Sequence, residues 1–248
     1  MFRSAFALSS LLLVLAACAS NPAPVRNGQT GSSQQYDNVR PESGPVIQAN
    51  VERLYPNERL FLCRGIRVSN QPTTDSDGEV VNYARLVVVH GVPLVTAPAN
   101  NACVSSGFGM RTLNGRTRPH NGLDITSRPA SRVFSGGAGT ILEAGYNSGY
   151  GLSVLIDHGQ NVYTRYAHLE YVEDDIEVGQ TVHYGKPLGR MGASGHVTGI
   201  HLHYEILTGR YQAGVWGRGL TPQNPFDFPE WIDPRLAVNS DEAAQLGQ

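Results

Sequence analysis

Nowhere in its 248 residues does the chain gather a block of Lys and Arg. With 19 basic and 21 acidic residues the formal net charge is −2 at pH 7, which excludes the electrostatic footprint of a nucleic-acid-binding domain. Long apolar runs are missing beyond the extreme N-terminus: Leu86 to Val89, within RLVVVHGVPLV, is far too short to span a bilayer. From Ser105 onward no helical periodicity runs for ten residues, which argues against an α-helical domain. Cysteine is scarce as well, at three residues. Glycine (28) and proline (15) are plentiful within a 40% hydrophobic composition, so the chain can build a core while turning often. The length suits one medium domain, or a domain with a smaller companion.

The first twenty residues, MFRSAFALSSLLLVLAACAS, carry one basic residue (Arg3), an apolar stretch from Ala5 to Ala17, and small residues before Cys18. That is the layout of a secretory signal. Leu15-Ala16-Ala17-Cys18 resembles a bacterial lipobox, whose cysteine becomes the acylated first residue. In that pattern a residue other than Asp next, here Ala19, favours the outer membrane. The expectation is an exported lipoprotein: signal peptide 1–17, lipidation at Cys18, and an outer-membrane location facing the periplasm, touching the membrane only through its lipid. Residues 18–44 are polar and rich in Pro, Gly, Ser and Gln, the composition of a flexible tether with an average reach of roughly 25–30 Å. Cys63 and Cys103 remain, and two thiols in an exported domain more often pair than stay free, so a Cys63–Cys103 disulfide is expected.

Residues 45–104 hold two β-like runs, Arg59 to Val68 and Tyr83 to Ala97, separated by the turn-rich SNQPTTDSDGEV. They read as a small β subdomain or extension. Residues 105–229 form a train of short strands punctuated by glycine: Val133–Phe134, Gly139–Glu143, Leu152–Asp157, Val162–His168, Pro187–Met191 and His201–Leu207. The fold class this implies is all-β, antiparallel, in a compact two-sheet domain with a small β N-terminal extension. After Pro225 the chain turns polar again and is expected to fray, with Trp231 docking on the body; residues 230–248 are set off as a C-terminal tail.

The chemistry concentrates in histidines. In Gly199-Ile200-His201-Leu202-His203-Tyr204-Glu205 two histidines lie one residue apart in a β-like segment, where i and i+2 project to one face. Arg118-Pro119-His120-Asn121-Gly122-Leu123-Asp124 adds an HxxxD pair. Catalytic zinc takes three N or O ligands and leaves a fourth position open. His120, Asp124 and the HLH pair supply such a set, and spacing leaves open whether His201, His203 or both bind. His168, in YAHL, lies between the two motifs in sequence.

The ordered segments SGFGMR (106–111), HNGLDI (120–125), SGYG (148–151), VLIDHG (154–159), YAHL (166–169), VGQTV (178–182) and TGIHLHYEI (198–206) resemble the M23 zinc metallopeptidases, the LytM/lysostaphin-type peptidoglycan endopeptidases. The resemblance spans about half the chain. It implies an M23/LytM-type fold and one Zn2+ per chain, with His120, Asp124 and His203 as ligands. It also implies His168 and His201 as non-ligand histidines acting on the reaction. The activity implied is hydrolysis of peptide cross-links in peptidoglycan, D-alanyl–diaminopimelyl in a Gram-negative envelope and glycyl bridges in the Gram-positive alternative. All five positions are filled, unlike LytM-like proteins that lost ligands and act only as amidase activators. A zinc-holding but catalytically silent wall-binding or amidase-activating lipoprotein is the second reading. No glutamate of the HExxH type is present. Glu205 either orients one imidazole from behind or stands as a solvated strand-end residue. His158 is expected to brace its turn and His90, His183 and His196 to lie at the surface, His196 near the groove wall. Arg111 and Asn114 are candidate groove residues. Nothing points to protein partners.

Overall fold

The computed structural model describes residues 52–232. The signal segment, Cys18, the tether and the last sixteen residues (233–248) lie outside the described residues. Among the described residues the fold is all β, with one 3-10 turn (Pro225–Asp227) and no helix long and apolar enough to cross a membrane.

Two hairpins flank the main sheet. β1 (Leu86–Val89) and β2 (Val92–Val95) pair antiparallel around His90 and Gly91, at φ 48° and 84°. Two consecutive positive-φ residues make the tight turn whose twist matches paired strands. The run Tyr83 to Ala97 is therefore one hairpin. The same turn chemistry, Asn114-Gly115 at φ 52° and 73°, joins β4 (Gly109–Leu113) to β5 (Arg116–His120). Asn114 is thus a turn residue at the hairpin tip rather than a groove residue.

The remaining ten strands share one antiparallel hydrogen-bonded network: β3 (Cys103–Ser106), β6 (Leu123–Thr126), β7 (Arg132–Phe134), β8 (Gly139–Asn147), β9 (Gly151–Asp157), β10 (Val162–Val172), β11 (Thr181–Val182), β12 (Pro187–Met191), β13 (Leu202–Gly209) and β14 (Leu220–Gln223). The main order is β11-β8-β9-β10-β13-β6-β3, and β12 joins the far end of β10 to β7. Leu202, Tyr204 and Ile206 of β13 point into the core with Leu123, Ile125, Val154, Ile156 and Tyr166. Strand alternation then sends His203 and Glu205 to the opposite face.

Strand β10 carries an irregularity. Tyr166 and Leu169 are both buried in the core, three positions apart, which strict alternation forbids. The register of β10 against β9 shifts between them, and His168 takes φ 62°. The extra residue of this bulge turns His168 out of the core.

Two expectations fail. Arg59 to Val68 is not a strand: it makes isolated bridges at Phe61 and Leu62, then turns at Gly65 (φ 78°) with Ile66 N–H donating to Cys63 O. Nor does the chain fray directly after Pro225. Phe226 and Phe228 pack on the core, and the edge of β1 exchanges hydrogen bonds with Pro229 and Trp231. Pairing with an open edge satisfies backbone groups that a frayed tail leaves to water. Trp231 docks as expected. Cys63 and Cys103 form the expected disulfide, with Cα atoms 5.0 Å apart.

Candidate metal centre

Three strands converge on one point. His120 ends β5, Asp124 lies on β6, and His203 lies on β13 as the direct cross-strand partner of Asp124. The turn between His120 and Asp124 runs flush against β13. A Cβ on Gly122 would sit 2.3 Å from the Tyr204 carbonyl oxygen, so only glycine lets the two strands close at this register. All three side chains are buried. His120 Nε2 lies 2.9 Å from Asp124 Oδ1 and 3.1 Å from His203 Nδ1, which is itself 2.9 Å from the same Oδ1.

The protons show what this triangle holds. His120 Nδ1–H donates to the Gly107 carbonyl at 2.5 Å, and His203 Nε2–H donates to Glu205 Oε1 at 3.1 Å. Each tautomer follows from the acceptor that the outer ring nitrogen faces. With both rings neutral, His120 Nε2, His203 Nδ1 and Asp124 Oδ1 meet as three lone pairs. A tetrahedral ion with bonds of ~2.0–2.1 Å keeps its ligand atoms about 3.3 Å apart, close to the observed spacing. The residues fit a zinc ion. Against protons alone, burial opposes charge on His203, yet the Asp124 and Glu205 carboxylates outweigh it and push the imidazole up to about 9. Burial likewise opposes charge on Asp124, but His120 and His203 hold its carboxyl well below the usual range. The same field that draws a proton to this point draws a cation.

Two further histidines face the site. His168 and His201 have ring centroids 4.9 Å apart, and His201 Nε2 stands 3.5 Å from Asp124 Oδ1. His168 Nδ1–H donates to the Ser194 carbonyl and His201 Nδ1–H to the Gly199 carbonyl, both at 2.8 Å, leaving each Nε2 as a free lone pair. Burial first, then the neighbouring His201 and His203, push His168 down to about 4. Burial also lowers His201. Both are neutral near pH 7 and able to accept a proton. The cleft over them holds about 550 Å3, and its lining includes Arg111, Arg118, Asn121, Tyr150, His196 and Thr198. No residue of 52–104 lines it.

Behind His203 lies a buried charged network. Glu205 is 1% exposed, which overturns its reading as a solvated strand-end residue. Its Oε1 accepts from Tyr150 O–H at 3.0 Å, and its Oε2 lies 3.5 Å from Arg165 Nε. Arg165, 2% exposed, reaches Glu143 with Nη2 at 3.4 Å and stacks over the Tyr150 ring at 4.3 Å. On the other side Arg111 Nη1 donates to Asp124 Oδ2 at 2.6 Å, so the candidate groove arginine grips the Asp124 carboxylate. Tyr150, Arg165 and Glu143 went unnoticed in the sequence, where the segment SGYG was the one local pointer. His158 braces its turn as expected, with Nδ1–H donating to Ala138 O and Nε2 facing Thr164 Oγ1, both at 2.7 Å. His90, His183 and His196 are exposed, and His196 stands on the cleft wall.

An antiparallel β domain that brings His, Asp and His together as bare acceptors, with two neutral histidines beside them, is built to hold a metal. Residues 118–214 match the sequence model of Peptidase family M23. Among curated proteins it is similar to the peptidoglycan DD-endopeptidases ShyC and ShyA of Vibrio cholerae. ShyC is 33% identical over 114 residues, covering 45% of this chain and 26% of the relative. ShyA is 36% identical over 107 residues, covering 42% and 24%. The chain thus spans about a quarter of the length of these relatives. Among solved structures it is similar to a zinc containing peptidase from Vibrio cholerae, with TM-score 0.46, 22% identity, and coverage of 63% of this chain and 48% of that one. It is also similar to the catalytic domain of lysostaphin from Staphylococcus simulans, with TM-score 0.44, 26% identity, and coverage of 52% and 92%.

Proposed function

We propose that this protein is a zinc-dependent peptidoglycan endopeptidase that hydrolyses peptide cross-links, with the D-alanyl–diaminopimelate bond as its target. The observation that carries the reading is the convergence of His120 Nε2, Asp124 Oδ1 and His203 Nδ1 within 2.9–3.1 Å, with two more unprotonated Nε2 atoms at the same cleft. The names of the curated relatives supply the substrate class. When bound, zinc supplies Lewis acidity that polarises an amide carbonyl and makes water a nucleophile near neutral pH.

The chain's own residues do the rest. Arg111 and Glu205 hold Asp124 and His203 in place. His201 Nε2, beside Asp124, is placed to take the proton of the attacking water and pass it to the leaving amine, while His168 orients the reacting groups from the other side. The five-residue set and a cleft lined by residues 111–205 give the catalytically silent alternative no support among the described residues. The reading includes export and acylation at Cys18, placing the enzyme on the outer membrane next to its polymer. Labelled fatty acid that enters the protein, and is lost in Cys18→Ala, tests that part.

Digestion of purified peptidoglycan, with products identified by mass spectrometry, tests the activity. Cross-linked dimers should fall to monomers, and chelator or His120→Ala should stop this, with zinc restoring the chelated sample alone. No cleavage by folded, zinc-loaded protein sinks the proposal.

A further inference from the structure

Asn70 lies well before the matched residues 118–214, in a segment whose sequence shows only turn character, and is 8% exposed. Beyond its own N–H its polar groups go to the Ser106–Gly107 step, and its Nδ2 also lies 3.4 Å from His120 Nδ1. Its Nδ2 donates to the Gly107 carbonyl, its Oδ1 accepts from Ser106 Oγ–H at 2.9 Å, and its main-chain carbonyl accepts from Gly107 N–H at 3.0 Å.

Both of those residues lead on to the metal centre. The Gly107 carbonyl also accepts the Nδ1–H of His120, so its two lone pairs are shared between Asn70 and a ligand. Ser106 Oγ accepts from Arg111 Nη1 at 3.2 Å, and the same Nη1 lies 2.6 Å from Asp124 Oδ2. The segment lies flush on this step: a Cβ on Gly107 would come within 2.4 Å of the Asn70 carbonyl oxygen. Ser69 Oγ accepts from Thr112 N–H at 2.7 Å on hairpin β4–β5, the element that delivers His120.

We infer that Asn70 is a positioning residue of the metal centre, through which the segment before the M23 match sets His120 and Asp124 together. One chain runs Asn70, Gly107, His120; the other runs Asn70, Ser106, Arg111, Asp124. Fixing the Gly107 carbonyl fixes the His120 ring and the tautomer that leaves Nε2 bare. Fixing Ser106 fixes the guanidinium that grips Asp124. Removing a partner behind a ligand typically costs ~10–100-fold in metal affinity.

The inference rests on the zinc reading of the site, and the test separates the two. Zinc affinity is measured by chelator competition on the full chain, together with the visible spectrum of the cobalt-loaded protein and the melting of the metal-free protein. The control is Asn100→Ala: Asn100 is equally buried in the same N-terminal region, and its side chain bonds Tyr55 N–H and the Arg53 carbonyl, away from the site. Asn70→Ala should weaken zinc binding about 10–100-fold and alter the cobalt bands, whereas Asn100→Ala should lower melting and leave both unchanged. Asn70→Asp keeps the volume and the Ser106 bond but loses the donor to Gly107; it should weaken zinc too, and it decides the matter if Asn70→Ala does not fold. Parent-like zinc affinity and cobalt spectrum in the folded Asn70 variants overturn the inference, as does an equal loss in Asn100→Ala. If the parent itself binds no zinc, the site reading fails instead.

Discussion

Asp124 and His203 face each other as cross-strand partners on β6 and β13, and their Oδ1 and Nδ1 atoms stand 2.9 Å apart. A pair set by strand register is fixed by the sheet itself, so the site is as rigid as the core beneath it. His120 joins from a hairpin, His168 from the bulge of β10 and His201 from the residue before β13; under the proposed function this arrangement separates holding the metal from handling protons.

That separation is measurable. Asp124→Asn and His203→Ala should lose zinc on dialysis, by more than the ~10–100-fold typical of outer partners. His201→Ala and His168→Asn should keep one zinc per chain and lose turnover by ~10²–10⁴-fold. Asn suits position 168 because it tolerates the positive φ of the bulge. Zinc lost from the His168 or His201 variants would place those residues among the ligands.

Arg165 stands between two buried carboxylates. Arg165→Met leaves Glu205 and Glu143 without their counter-charge and should cost about 3–5 kcal/mol, the usual effect of breaking a buried pair. Urea denaturation reads it. A change below ~1 kcal/mol would mean that water or protonation already relieves these carboxylates.

The disulfide closes a loop with a sequence separation of 40, linking the N-terminal region to the strand beside β6. On chain-entropy grounds Cys63→Ser with Cys103→Ser should lose about 4 kcal/mol. Denaturation of parent and double variant under non-reducing conditions gives the difference, and equal midpoints would contradict it.

Burial pushes the His158 imidazole below its ordinary 6.5, partly offset by its bond to the Ala138 carbonyl. The folded state therefore prefers the neutral ring. Its contribution to stability is complete above pH 6.5 and is lost as the pH falls from there through the lowered folded value. Metal-free protein should lose stability between neutral pH and about pH 5, and His158→Gln should lose less over the same interval. Parallel curves for the two proteins would show that other groups carry the acid sensitivity.

Much of the site was legible because its pieces are local patterns. HLH reads as one strand face by the two-residue period, and the observed alternation, with Leu202 and Tyr204 inward and His203 outward, follows it. The expected ligand set was carried by ordered resemblance to a family, and the two thiols left once Cys18 is set aside have one way to pair. Glu205 stayed ambiguous, since a glutamate two residues after a histidine reads alike whether solvated or buried. Only the register that sets it opposite Arg165 on β10 settles the matter. Asn70 was invisible, because a polar residue in a turn-rich stretch carries no local mark of a contact made far along the chain.

By itself the sequence determined the strand-rich class, the face shared by the paired histidines and the chemical types that meet at the candidate metal centre, all consequences of short-range periodicity and residue chemistry. The tertiary structure alone decided that His168 leaves the core, that Arg165 sits between two carboxylates and that Asn70 stands behind His120. Each depends on a bulge, a cross-strand register or a close approach between distant segments. Those are settled by which packing of the whole chain satisfies its buried polar groups, and no short window of residues contains that information.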